Sequence, residues 1–178
     1  SFISSHYDLS LQSNFNAMTR LTSGDIAPDF STINQDGRSV DLKRYLKTKW
    51  LALYFYPHDM TETCTVQACN LNDGLKKLKR AGVKVVGVSE DPPSKHQKFI
   101  LKYGLGFDLL ADTNHSVHLA YGVWGPKKFM GREFDGTHRT TFIIDNSGVI
   151  RHVIHPVKAK VHADDIIHFV KNFESEAR

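Results

Sequence analysis

The chain has 178 residues, 40% of them hydrophobic and 11% aromatic, enough apolar material for one domain with a substantial core. A formal net charge of +4 is mild, and the basic residues are scattered or interspersed, as in Leu75–Arg80, which fits a solvated helix face and no nucleic-acid partner. No apolar run nears the ~20 residues that cross a bilayer, so no membrane partner is expected.

Ser1–Ala17 is rich in Ser and Asn, lacks periodicity, and has neither the basic start nor the apolar stretch of a secretory signal. Gln12–Met18 resembles the scar of an expression vector. Residues 1–17 are therefore set aside as a tag remnant or an N-terminal extension, with a single domain over 18–178. Asp29–Ile33, the turn Asn34–Gly37 and Arg38–Val40 read as a hairpin, followed by a turn or two of helix in Asp41–Leu46. Trp50–Tyr56 is a near-continuous apolar run, the pattern of a central strand covered on both faces. From about Thr63 to Arg80 the pattern turns helical, with Ala68, Leu71, Leu75 and Leu78 on one stripe. Val83–Ser89 is a second buried strand, so the unit predicts parallel pairing. A helix follows from Ser94 to Tyr103, a short strand over Phe107–Leu110 and a helical stretch over Thr113–Tyr121. Thr141–Asp145 and Val149–Val153 form a second hairpin, and a last helix covers roughly Ala163–Phe173. The sum is an α/β sandwich of the thioredoxin-like kind, a central mixed β-sheet flanked by helices, with an N-terminal hairpin and extra elements.

The chain has two cysteines, Cys64 and Cys69. Two are too few for a disulfide-stapled secreted scaffold, and without a second Cys pair they make no zinc site. A reducing compartment, the cytoplasm, is expected, with redox chemistry rather than a structural role. Thr61 or Thr63 can cap the helix, which puts Cys64 in its first turn. Unpaired N–H groups and the positive end of the helix dipole favour a negative charge there, and the thiolate is the nucleophile. The Thr61 hydroxyl can hydrogen-bond the sulfur or an incoming oxygen.

The segment Tyr54-Phe-Tyr-Pro-His-Asp-Met-Thr-Glu-Thr-Cys-Thr-Val-Gln-Ala-Cys69 resembles the active-site segment of peroxiredoxins. It is most similar to the branch called bacterioferritin comigratory protein or peroxiredoxin Q. Gly24–Phe30, Val86–Ser89, Ala120–Trp124 and Arg139–Asp145 match as well, so the likeness runs from about Gly24 to the C-terminus. The resemblance implies a thiol peroxidase with peroxiredoxin-type insertions in the fold. Cys64 would be the peroxidatic cysteine, Thr61 would orient the peroxide, and Arg139 would stabilise the thiolate and the charge developing on the breaking O–O bond. Pro57 would shape the pocket wall. Cys69 would be the resolving thiol, condensing with the Cys64 sulfenic acid, and thioredoxin or a similar dithiol reductant would restore both thiols. No cofactor and no metal are implied, and a monomer is expected.

Where relatives carry Pro-Gly before the peroxidatic cysteine, this chain has Glu62-Thr63. Loss of Pro frees φ, Thr63 narrows access, and Glu62 sets a carboxylate beside a thiolate. These changes predict slower turnover than in a Pro-Gly relative. Trp124 and Tyr121 read as core or pocket-rim aromatics, and the His115/His118 and His152/His155 pairs as solvated. Two other functions fit the cysteine pair: a general thiol–disulfide oxidoreductase, against which stands the missing Cys-x-x-Cys spacing, and a redox-sensing or chaperone-like module.

Overall fold

The computed structural model describes residues 19–177, so the expectation for Ser1–Ala17 lies outside the described residues. In chain order the elements are β1 (Ser31–Ile33), β2 (Ser39–Asp41), a 3-10 turn (Lys43–Tyr45), β3 (Trp50–Phe55), α1 (Glu62–Asp73), α2 (Leu75–Arg80) and β4 (Val83–Ser89). Then come α3 (Pro93–Tyr103), β5 (Asp108–Ala111), α4 (Ser116–Ala120), β6 (Trp124–Phe129), β7 (Arg132–Thr137), β8 (Thr140–Asp145), β9 (Ile150–Ile154), a 3-10 turn (Ala159–Val161) and α5 (His162–Glu176).

The main sheet has the order β5-β4-β3-β8-β9. β3 pairs parallel with β4 and antiparallel with β8, so the sheet is mixed as the sequence predicts. Every residue of β3 is buried because both of its faces are covered. Successive side chains alternate between two core layers. Trp50, Ala52 and Tyr54 pack with Leu71, Leu78, Phe99 and Ile166 of the helices on one side, and this layer also holds Cys64. Leu51, Leu53 and Phe55 pack with Phe30, Val40, Tyr45, Val117 and Tyr121 on the other. Among the described residues, no helix is long and apolar enough to cross a membrane.

Three expectations are corrected. The helical stretch after Cys64 is two helices, α1 and α2, separated at Gly74. A Cβ at Gly74 would lie 2.8 Å from the Cβ of Ala163, so the absence of a side chain lets α5 pack close there. The helix after Ser89 starts at Pro93, with Pro92 as its N-cap, where proline's fixed φ suits the first turn. A two-stranded ribbon, β6–β7, occupies Trp124–Thr137, a region to which the sequence pattern assigned no element. Its residues are mostly exposed, so it lacks the alternation that marks a strand against a core.

Candidate active site

The site forms where β3 hands over to α1. The Tyr56 N–H donates to the Val88 carbonyl at 3.1 Å and prolongs the ladder, after which half-buried Pro57 begins the turn. Asp91 anchors that turn, accepting from the Asp59 N–H at 2.6 Å and pairing with His58 Nδ1 at 3.2 Å. Burial works to raise the Asp91 carboxyl. The hydrogen bonds from Asp59, His58 and Lys95 outweigh it and hold the group below its ordinary range. Met60, at φ 68, lies in the left-handed region that non-glycine residues seldom adopt, and reverses the chain into the helix.

Thr61 is the N-cap residue of α1, with extended backbone and no side-chain capping bond. Its hydroxyl donates to the His58 carbonyl at 3.0 Å, which leaves its lone pairs as acceptors at the mouth of the site. Glu62 and Thr63 occupy the first two helical positions and are exposed; Cys64 is the third, as expected for a first-turn thiol.

Cys64 is 2% exposed, so its thiol lies beneath the surface, next to the exposed first turn. Arg139, in the corner between β7 and β8, donates from Nη2 to Cys64 Sγ at 3.2 Å. A cation therefore stands beside the thiol and adds to the field of the helix tip, 75 residues along the chain from it. The other arm of the guanidinium, Nη1, donates to Gln67 Oε1. Gln67 is wholly buried, and its Nε2 lies 3.2 Å from His162 Nδ1. His162 Nε2 in turn lies 2.8 Å from Thr141 Oγ1. Burial, with Arg139 nearby, pushes His162 down to about 4, so the ring is neutral at neutral pH.

Two further groups share the field of the site. The Tyr54 hydroxyl is fully buried without a hydrogen-bond partner among the described residues; burial, and next the charge of Cys64, push it far up. Lys127 of β6 donates to the Thr137 carbonyl at 2.8 Å, its side chain lying across Gly136, where a Cβ would be 3.0 Å from Lys127 Cδ. Burial and then Arg139 lower Lys127, while Cys64 draws it up.

Cys69 lies on the same unbroken helix as Cys64, and both are free thiols. Burial and the Asp73 carboxylate push the Cys69 thiol up. Trp124 stacks on His115 with ring centroids 3.7 Å apart and meets His118 edge-on, and its ring contacts are with these two histidines. The histidine pair at 115 and 118 is not solvated. His118 is fully buried, with Nδ1 2.6 Å from Asp112 Oδ2, and His115 Nε2 is 2.6 Å from Glu90 Oε2.

The family model described as AhpC/TSA family matches residues 23–153. The chain belongs to this family. Within it, the chain is 47% identical to peroxiredoxin Bcp of Escherichia coli over 154 residues, which cover 86% of this chain and 98% of that protein. Peroxiredoxin Bcp of Bacillus subtilis is 37% identical over 153 residues, 86% of this chain and 97% of the relative. Among solved structures, peroxidoxin BcpB of Mycobacterium tuberculosis superposes with a TM-score of 0.76 at 30% identity, covering 85% of this chain and 97% of that one. A cysteine-to-serine mutant of Xylella fastidiosa PrxQ superposes with a TM-score of 0.80 at 26% identity, covering 86% and 98%. The chain is thus a peroxiredoxin of the Bcp/PrxQ branch with a thioredoxin-like fold, and its activity is that of a thiol-dependent peroxidase.

In this peroxiredoxin the structure brings together Cys64, Arg139 and the helix tip at Thr61. Gln67, His162, Tyr54 and Lys127 are the residues that sequence reasoning did not single out. Gln67 was legible only as a polar residue inside an apolar helix face.

Proposed function

We propose that this peroxiredoxin reduces hydrogen peroxide and organic hydroperoxides through Cys64, with Cys69 as resolving thiol and thioredoxin as reductant. The Cys64 thiolate attacks the terminal oxygen of the peroxide and the O–O bond breaks. The alkoxide leaves and takes up a proton to become an alcohol, or water when the substrate is hydrogen peroxide, and the sulfur becomes sulfenic acid. Arg139 stabilises both the attacking thiolate and the leaving oxygen, since its donors are fixed before reaction. Thr61 accepts the peroxide O–H and orients it. Pro57, Glu62 and Thr63 line the approach, and Trp124 stands at the pocket rim.

The Cys69 thiol then displaces the hydroxyl of the sulfenic acid as water, forming a disulfide, and a dithiol exchanges with that disulfide to regenerate both thiols. Five residues apart on a regular helix, the two Cα atoms are ~8.6 Å from each other on nearly opposite faces, beyond the ~7 Å limit for a disulfide without backbone movement. The first turns of α1 therefore unwind in each cycle. A single monomeric unit from residue 18 on, acting in the cytoplasm, fits this role.

The observation that carries the proposal is the 3.2 Å contact from Arg139 to the sulfur of a first-turn cysteine. The test follows peroxide consumption with thioredoxin, thioredoxin reductase and NADPH. Rapid turnover should vanish in Cys64→Ser and stall after one turnover in Cys69→Ser. Steady turnover in Cys69→Ser removes that cysteine from the cycle. Disulfide reduction without peroxide would favour a general oxidoreductase instead.

A further inference from the structure

Behind the thiol runs an ordered row of polar side chains, each with one partner before it and one after. Arg139 can only donate, so Gln67 presents its Oε1 to Nη1. The amide nitrogen of Gln67 must then face His162, and it donates to Nδ1 at 3.2 Å. With Nδ1 accepting, the ring proton sits on Nε2 and is donated to Thr141 Oγ1 at 2.8 Å. Only the neutral ring in this tautomer completes the row. Gln67 and His162 are 0% exposed, so bulk solvent does not compete for the bonds of the row. Among the described residues, Arg139 from the β7–β8 corner is the charged group that acts on His162, and Tyr54 from β3 meets its ring edge-on at 5.8 Å; Gln67 and Thr141 are neutral.

We propose that His162, acting through Gln67, is a positioning residue that fixes the guanidinium of Arg139 against Cys64. The physical reason is geometric. A guanidinium holds two partners in one plane, so fixing Gln67 Oε1 fixes the direction in which Nη2 points. Arg139 selects the amide oxygen, but an amide held at that end alone is free to tilt and shift with the arginine, and Oε1 then no longer sets the direction of Nη2. His162 removes that freedom by accepting from the amide nitrogen at the other end.

The inference rests on the peroxidase reading of Cys64, and the test separates the two. Oxidation of reduced protein by hydrogen peroxide is followed by stopped-flow tryptophan fluorescence, and alkylation of Cys64 by iodoacetamide is measured in parallel. His162→Leu removes the acceptor, while His162→Asn returns one near the place of Nδ1. Oxidation should slow by at least about tenfold in His162→Leu, as expected for a misaimed group, and recover most of its rate in His162→Asn. In an Arg139→Gln background, His162→Leu should cause no further loss, because the group it positions is gone. An unchanged rate in His162→Leu overturns the proposal, and so does an equal loss in both backgrounds, which is what general loosening of the core would give. If His162→Leu does not fold, Gln67→Leu meets the same two comparisons with the same outcomes. A wild-type protein inert to peroxide would sink the peroxidase reading alone; slowed alkylation in His162→Leu would still support the positioning role, and unslowed alkylation would still oppose it.

Discussion

At its N-terminal end α1 presents Thr61, Glu62 and Thr63 to solvent with no side-chain cap, and Arg139 is the side chain that reaches in to hold Cys64. Further along the same helix, Ala68 and Leu71 are wholly buried, and Asn70 clamps the start of α5, donating to the Lys160 carbonyl at 2.7 Å and accepting from the Ala163 N–H at 2.9 Å. Gly74 closes that contact by letting Ala163 approach. One helix therefore combines an end that few contacts secure with a body seated on the core. Local opening is least costly where buried contacts are fewest, so in the proposed cycle the half that rearranges to bring Cys64 to Cys69 is the half the fold holds least. Gln67 marks the boundary. Unwinding that runs as far as Ala68 breaks its bonds to Arg139 and His162, whereas unwinding that stops before it leaves them intact.

The largest effect should come from the N-terminal grip. Arg139→Gln removes the donor to Sγ, and the rate of oxidation by peroxide should fall about 10²- to 10³-fold, the usual loss for a fixed donor at a reacting charge. Stopped-flow oxidation measures it, and a fall of less than threefold would mean that the thiolate is held by the helix tip instead. The body of the helix is probed by acid. His162 has a folded value of about 4, below its ordinary 6.5, so the unfolded chain binds the proton more readily between these values. The sign follows: this contribution to stability is complete above pH 6.5 and is lost as pH falls towards 4, by roughly 3 kcal/mol if this group acts alone. Denaturant unfolding at a series of pH values measures it, and His162→Asn should flatten that part of the profile.

A smaller effect distinguishes the two ends. Asn70→Ala loses both bonds to the α5 region and should cost about 1–2 kcal/mol of stability while leaving the peroxide step unchanged. Should oxidation slow as much as in Arg139→Gln, the ends do not act separately. The smallest effect concerns the entry. Glu62→Pro with Thr63→Gly removes the carboxylate and the side chain before Cys64, and turnover should rise a few-fold; no gain would show that Glu62-Thr63 is no hindrance.

Much of this was legible in the sequence because it is written in local patterns. The buried run of β3, the first-turn placement of Cys64 and the two hairpins at Asn34–Gly37 and Asn146–Gly148 follow from periodicity and turn chemistry. The break at Gly74 was hidden because Leu71, Leu75 and Leu78 keep the helical spacing across it, and the neighbour that leaves no room for a side chain there, Ala163, lies on another helix. The β6–β7 ribbon was hidden because it stands off the main sheet and has no buried face to impose alternation. The row from Arg139 to His162 was hidden for a similar reason. Gln67 and His162 are 95 positions apart, and a buried polar pair shows no sequence signal until the fold joins its members. Arg139 was found through a matched motif, and spacing alone would have missed it.

In the proposed cycle the sulfur of residue 64 takes an oxygen from the peroxide. The most direct measurement is intact and peptide mass spectrometry of Cys69→Ser after one equivalent of hydrogen peroxide, with and without a sulfenic-acid trapping reagent. The Cys64 peptide should gain one oxygen and, with the reagent, one adduct, and both should vanish in Cys64→Ser. Peroxide consumed at an unchanged rate with the Cys64 peptide unmodified would contradict the account.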